Sequence, residues 1–197
     1  MYKDQSLEKY LGDLAARLPV PGGGSAAALA AALAAALISM VVNFTLGKPK
    51  YSKYESKLKG TLRKSEKLRA EFLRLTDLDA VAYQSRDARD ALNTPFMVAR
   101  LCCEAIKLCP PLIKKGNANL ISDVAVAAVL LEAGFSSAYF NVEINLKNFD
   151  DKKSARAIRK ELAQKGKLVR NIRKVTEERI GKIIGRQAAC RENKRRD

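Results

Sequence analysis

Apolar positions recur at helical spacing along nearly the whole chain, and no stretch alternates as a half-buried strand would. Leu7, Tyr10, Leu11, Leu14 and Leu18 predict a short helix over 4–17, ended by Pro19. After Pro19-Val20-Pro21-Gly22-Gly23-Gly24-Ser25, residues 26–37 are all alanine except Leu29, Leu33 and Leu37. That run predicts a slim helix over 25–46, capped by Ser25 and packed closely on every side. Its apolar run, 26–42, is mostly alanine, which inserts poorly in lipid, so it reads as a core helix and not as a membrane span.

Gly47-Lys48-Pro49 breaks this helix. No proline interrupts 50–92, and a period near 3.5 through Leu58, Leu62, Ser65, Phe72, Asp79 and Tyr83 predicts a long helix whose first half projects as a basic arm. Asn93-Thr94-Pro95 predicts a new helix with proline in its first turn, running to about 108. Pro110-Pro111 interrupts it, and one turn resumes over 112–115. A helix capped by Asn119 or Ser122 then runs to about 148 and is apolar nearly all round. Its polar residues Asp123, Ser137, Asn141 and Asn145, with Gly134, fall within roughly 80° of one another. Asp150-Asp151 opens a last helix to about 187, striped with Ile158, Leu162, Val169, Ile172, Val175 and Ile183. The expected architecture is all-α: a single domain over 1–190 built as a bundle of five to six helices, two of them long, with a basic tail over 191–197.

Charge sharpens this picture. The net charge is +16 over 197 residues. Lys48–Arg74 carries ten basic and three acidic residues, and Lys152–Asp197 seventeen and five, so the surplus lies on two segments. Such segments attract polyanions: nucleic acid, acidic surfaces or a polyanionic small molecule. Neither has the aromatic interleaving of single-strand binders, so nucleic acid is the less favoured partner. Histidine is absent, which excludes His-based triads, His metal ligands and a histidine base. Cys102, Cys103, Cys109 and Cys190 fit no metal spacing and read as reduced thiols. The N-terminus lacks a signal pattern, so a cytoplasmic protein is expected, with neither a membrane nor a metal involved.

Three segments put polar residues where a plain bundle wants apolar ones. Gly22, Gly23, Gly24 and Ser25 make either a turn and cap or a backbone nest for a polar ligand group at a helix N-terminus. Asp79 falls on the apolar seam of the long helix, flanked by alanine; it is either a carboxylate held in a cleft or a solvated one paired with Arg86. Gly116-Asn117-Ala118-Asn119-Leu120-Ile121-Ser122-Asp123 is either a capped turn or the start of the polar seam that continues to Asn141 and Asn145.

These motifs, in order, carry a resemblance. Pro-Gly-Gly-Gly-Ser-Ala-Ala-Ala-Leu, Asp-Ala-Val-Ala-Tyr, Gly-Asn-Ala-Asn-Leu-Ile-Ser-Asp-Val-Ala-Val-Ala-Ala and Asn-Val-Glu-Ile-Asn-Leu resemble the cyclodeaminase/cyclohydrolase family of folate enzymes, over about Leu7–Leu146. Tyr83 stands where that family usually has Phe, and the last helix is more basic than expected. The resemblance implies an all-helical homodimer with a folate cleft lined by these motifs. It implies hydrolysis of 5,10-methenyltetrahydrofolate to 10-formyltetrahydrofolate, with cyclodeamination of formiminotetrahydrofolate as the alternative, and no cofactor beyond the tetrahydrofolate substrate. Asp79 and Asp123 are then the expected catalytic pair, one of the two serving as base and the other as orienting charge. Gly22, Gly23, Gly24, Ser25, Tyr83, Asn117, Asn119, Ser122, Asn141 and Asn145 are the expected substrate contacts. The basic segments suit a polyglutamate tail. A nucleic-acid-binding helical protein and an inactive folate-binding homologue are the competing readings.

Overall fold

A computed structural model describes residues 1–85 and 88–193, with the side chains of 83–85, 88, 148 and 186–193 also outside the description. Arg86 and the tail over 194–197 therefore lie outside it. Among the described residues the chain is all-α, without strands: α1 (Leu7–Ala15), α2 (Gly23–Asn43), α3 (Glu55–Ser85), α4 (Ala88–Ala105), α5 (Cys109–Lys115), α6 (Ile121–Asn145) and α7 (Lys152–Asn193), joined by short 3-10 turns.

The alanine-rich α2 is the axis of the bundle, packed mainly between α3 and α6. Ala28, Ala31, Ala34, Ala35, Ile38, Val41 and Val42 are buried along it. Its small side chains let the neighbours approach, and α6 answers with Gly134. A Cβ on Gly134 would lie 3.2 Å from the Ala27 carbonyl oxygen, 3.3 Å from Cys102 Sγ and 3.4 Å from Ala31 Cβ. Both α2 and α6 are long and apolar enough to cross a membrane, and 61% of the apolar window of α2 is buried inside the protein.

Several boundaries differ from expectation, each for a visible reason. Ser25 is not the cap of α2. The helix starts two residues earlier with Gly22 as N-cap, and the Ser25 hydroxyl is spent on Tyr10. The first half of α3 is no free arm, since Leu58, Ser65 and Phe72 are buried against the bundle and a buried Ser39–Ser65 hydroxyl pair (2.8 Å) ties α3 to α2. Only its basic face is turned outward.

Pro95 does not start a helix; it sits inside α4. A mid-helix proline has no N–H for the carbonyl four residues earlier, here Ala91. Asn145 Nδ2 of α6 donates to that Ala91 oxygen at 2.6 Å and repairs the gap. Neither Ser122 nor Asn119 caps α6; the helix begins at Ile121 without a side-chain cap. Asp151 does open α7, its Oδ1 accepting the N–H groups of Lys153 and Ser154 at 3.0 Å each. The helical backbone runs to Asn193, beyond the expected end, with Ala155, Leu162, Val169, Thr176 and Ile180 buried along it.

Candidate active site

The first turn of α2 has no capping side chain of its own, because Gly22 stands at the N-cap. The orphan N–H of Ser25 is satisfied from another helix: Asp79 Oδ2 of α3 accepts it at 2.9 Å. Asp79 thus does from α3 what an N-cap residue does locally. The approach requires glycine at position 24. A Cβ there would overlap Asp79 Oδ1 and lie 2.7 Å from its Cγ. On the other side, a Cβ on Gly23 would be 3.5 Å from both amide atoms of Asn141 of α6. Three separate sequence motifs therefore meet at one end of the bundle: Gly22–Ser25, Asp79 and Asn141. Gly23 is exposed and Asp79 and Asn141 are half-buried, so the three form a shelf open to solvent.

Two forces act on the Asp79 carboxyl. Burial pushes its pKa up, and the Ser25 N–H donated to it pulls the other way; the net direction is upward. A carboxylate at a helix N-terminus also gains from the dipole. The result is a base stronger than a free aspartate, held on the positive end of α2.

Behind the shelf lies a residue that the periodicity hid. Tyr10 of α1 is buried, with its hydroxyl 3.1 Å from Ser25 Oγ. Tyr2 packs edge-on against the Tyr10 ring, and the single proton of its hydroxyl is within reach of two acceptors, Asp13 Oδ2 (3.1 Å) and the Val20 carbonyl (3.2 Å). Tyr10 counted in the sequence as one more apolar position, and no local signal marks its hydroxyl.

The remaining expected residues divide. Asn145 neighbours the shelf, and its amide nitrogen is committed to Ala91. The side chain of Tyr83 lies outside the description. Asn117, Asn119, Ser122 and Asp123 sit at the opposite end of the bundle. There the Asn117 backbone N–H donates to Thr45 Oγ1 (2.9 Å), its Nδ2 to the Phe44 carbonyl (3.3 Å), and its Oδ1 accepts the Asn119 N–H (3.2 Å). Asn117 is thereby the joint between the C-terminus of α2 and the start of α6. Asp123 is separated from Asn141 by 18 residues of one helix, about 27 Å at 1.5 Å per residue. Within one chain the two expected carboxylates do not converge.

The formiminotransferase-cyclodeaminase family profile matches residues 6–86 and 85–164, which take in all of these motifs. The chain belongs to the formiminotransferase-cyclodeaminase family. Relatives of this family differ in size. A methenyltetrahydrofolate cyclohydrolase of Methylorubrum extorquens is 36% identical over 185 residues, covering 82% of this chain and 89% of that protein. The formimidoyltransferase-cyclodeaminase of Rattus norvegicus is 33% identical over 171 residues, 75% of this chain and 32% of the rat enzyme, so the chain matches about a third of that length. The crystal structure of formiminotetrahydrofolate cyclodeaminase from Thermotoga maritima superposes with a TM-score of 0.88 at 26% identity, covering 93% of this chain and all of that one.

Proposed function

We propose that this protein hydrolyses 5,10-methenyltetrahydrofolate to 10-formyltetrahydrofolate at the Gly23–Asp79–Asn141 shelf, with Asp79 as general base. The observation that carries the reading is the half-buried Asp79 carboxylate held on the N-terminus of α2, its pKa raised by burial, in a chain similar over 82% of its length to a methenyltetrahydrofolate cyclohydrolase.

The chemistry needs such a group. The substrate carries a cationic N–CH–N bridge. Water adds to the bridging carbon while a base takes one of its protons; the carbon–N5 bond then breaks with its electron pair going to N5, the remaining hydroxyl loses its proton as the formyl C=O forms, and N5 takes up one of the two protons while the other is released. Asp79 offsets the cation and accepts the water proton, and a raised pKa improves it as a base. Gly23, the exposed glycine of the shelf, brings backbone close to the flat ring system, and the free Oδ1 of Asn141 accepts from the pterin edge, which alternates donors and acceptors. Basic residues of α3 and α7 suit an anionic polyglutamate tail. The reading needs no cofactor beyond the tetrahydrofolate substrate and fits a cytoplasmic homodimer.

Cyclodeamination of formiminotetrahydrofolate is the second reading, favoured by the likeness to the Thermotoga cyclodeaminase. There N10 attacks the formimino carbon and ammonia leaves, through similar tetrahedral chemistry. Methenyltetrahydrofolate absorbance separates the two. Its disappearance with the protein means hydrolysis, its appearance from formiminotetrahydrofolate means cyclodeamination, and neither would contradict both.

A further inference from the structure

A second carboxylate of α3, outside the shelf, is buried with one oxygen unpaired. Asp77 is 7% exposed. Its Oδ1 accepts the backbone N–H of Lys3 at 3.2 Å, which ties the first residues of the chain to α3. Its Oδ2 is buried and has no hydrogen-bond partner among the described residues. Folded proteins pair nearly all buried polar atoms, and a carboxylate oxygen is among the costliest to leave unpaired. The neighbouring lysines are engaged elsewhere. Lys9 Nζ donates to both oxygens of Asp13 (2.7 and 2.6 Å), and Lys3 Nζ to Asp4 (3.1 Å).

Asp77 lines a cavity of about 360 Å³. Tyr2, Gln5 and Lys9 line it from the N-terminal segment, Ala80 and Val81 from α3, and Val20 from the approach to α2. Its size falls at the lower end of small-molecule sites, roughly 300–1,000 Å³. Val81 and Met1, both on its lining, are exposed apolar side chains. The cavity is separate from the shelf. At about 100° per residue, Asp77 and Asp79 stand roughly 160° apart around α3, so the cavity opens on the side of α3 away from Asp79.

The lining selects the chemistry of an occupant. An ionised Asp77 Oδ2 only accepts, so the ligand must donate, and an anion is repelled. A guanidinium grips a carboxylate through both oxygens, and Oδ1 is already taken by Lys3. A divalent cation such as calcium takes about six to eight oxygen ligands, and the described residues hold no group of three or more His, Cys, Asp or Glu that could bind a metal. A primary ammonium fits. It carries three N–H donors, and Asp77 Oδ2, Tyr2 Oη and Gln5 Oε1 are acceptors on one cavity. The Tyr2 proton goes to Asp13 or Val20, which leaves its oxygen free to accept. Val20, Ala80 and Val81 offer apolar surface to an alkyl stem.

We propose that the cavity beside Asp77 is a second ligand site, which takes a primary alkylammonium ion with its head on Asp77 Oδ2 and its stem on Val20, Ala80 and Val81. The site stands whether or not the shelf performs the proposed reaction.

The test is calorimetric titration of the full chain with n-hexylammonium chloride, beside hexanol and sodium hexanoate, which share the stem. Hexylammonium is expected to bind one-to-one at millimolar concentration or below, and the two controls not to bind. Asp77→Asn keeps the shape and removes the charge, and should weaken hexylammonium at least tenfold. Asp79→Asn should bind it like wild type. Val81→Lys sets an ammonium one turn from Asp77 on the same face of α3; it should weaken hexylammonium at least tenfold and melt at or above wild type. Absence of saturable binding to wild type overturns the proposal. So does hexanol binding as well as hexylammonium, wild-type affinity in D77N, or loss of binding in D79N. If D77N does not fold, V81K decides, and wild-type affinity there overturns the site.

Discussion

Gly24→Ala perturbs the candidate site by one methyl group. The added Cβ would occupy the space of Asp79 Oδ1 and lie 3.0 Å from Oδ2 and 2.7 Å from Cγ. The carboxylate must swing away, and the 2.9 Å bond from the Ser25 N–H is lost with it. A hydrogen bond to a charged acceptor contributes about 1.5–3 kcal/mol. If that energy positions Asp79 for the reaction, kcat/KM falls by roughly 10–100-fold. Stability moves much less. Alanine gains up to about 1 kcal/mol over glycine in a helix, which offsets the roughly 0.5–2 kcal/mol of a lost N-terminal cap. The assay is methenyltetrahydrofolate absorbance at matched protein concentration, beside thermal melts. Gly60→Ala is the control, because nothing lies within 4 Å of a Cβ there; it should melt slightly higher and turn over normally. Wild-type kcat/KM in a folded G24A protein would refute the account of Asp79.

Four further outcomes follow from the structure. A raised Asp79 pKa means that the folded state holds this proton more tightly than the unfolded chain, so Asp79 costs stability once pH exceeds its unfolded value of about 3.8. Asp79→Asn should therefore be at least as stable as wild type at pH 7, with the advantage vanishing in acid melts, and activity in the wild type should fall as pH drops through the raised pKa. Asn145→Ala leaves the Ala91 carbonyl unsatisfied and should cost about 1–3 kcal/mol by urea titration; the cost should shrink in a Pro95→Ala background, where the backbone N–H returns. Gly134→Leu should cost about 1–3 kcal/mol or more in melting experiments by forcing α6 from α2 and Cys102. Cys102, Cys103 and Cys109 are buried, and burial pushes the Cys109 thiol up to about 12, so all three should resist thiol reagents until the protein unfolds.

Most of the helices were legible because each carries an unbroken apolar period: the alanine run of α2, the all-round apolar α6 and the stripe of α7. The boundaries were harder where tertiary contacts replaced local signals. Ser25 looks like a cap, yet Asp79, 54 residues away, takes that role and frees the hydroxyl for Tyr10. Pro95 looks like a helix start, yet Asn145 repairs the bond it removes.

The geometry of the candidate site was half legible. The glycines, Asp79 and Asn141 do meet, because polar residues on apolar seams signal a common destination. The seam of α6 was read as one wall, but a helix of 25 residues holds its ends about 37 Å apart, so Asp123 and Asn141 cannot share a ligand in one chain. Asn117 shows the limit from the other side: its three hydrogen bonds make it a joint between helices. Turn residues that cap and turn residues that bind look alike in sequence.

The most direct test of the central claim is the rate at which methenyltetrahydrofolate absorbance decays above the buffer rate with wild type and with Asp79→Asn, both shown folded by circular dichroism. The account predicts a clear catalysed decay with wild type and one at least tenfold slower with D79N. Equal decay with the two proteins would contradict it.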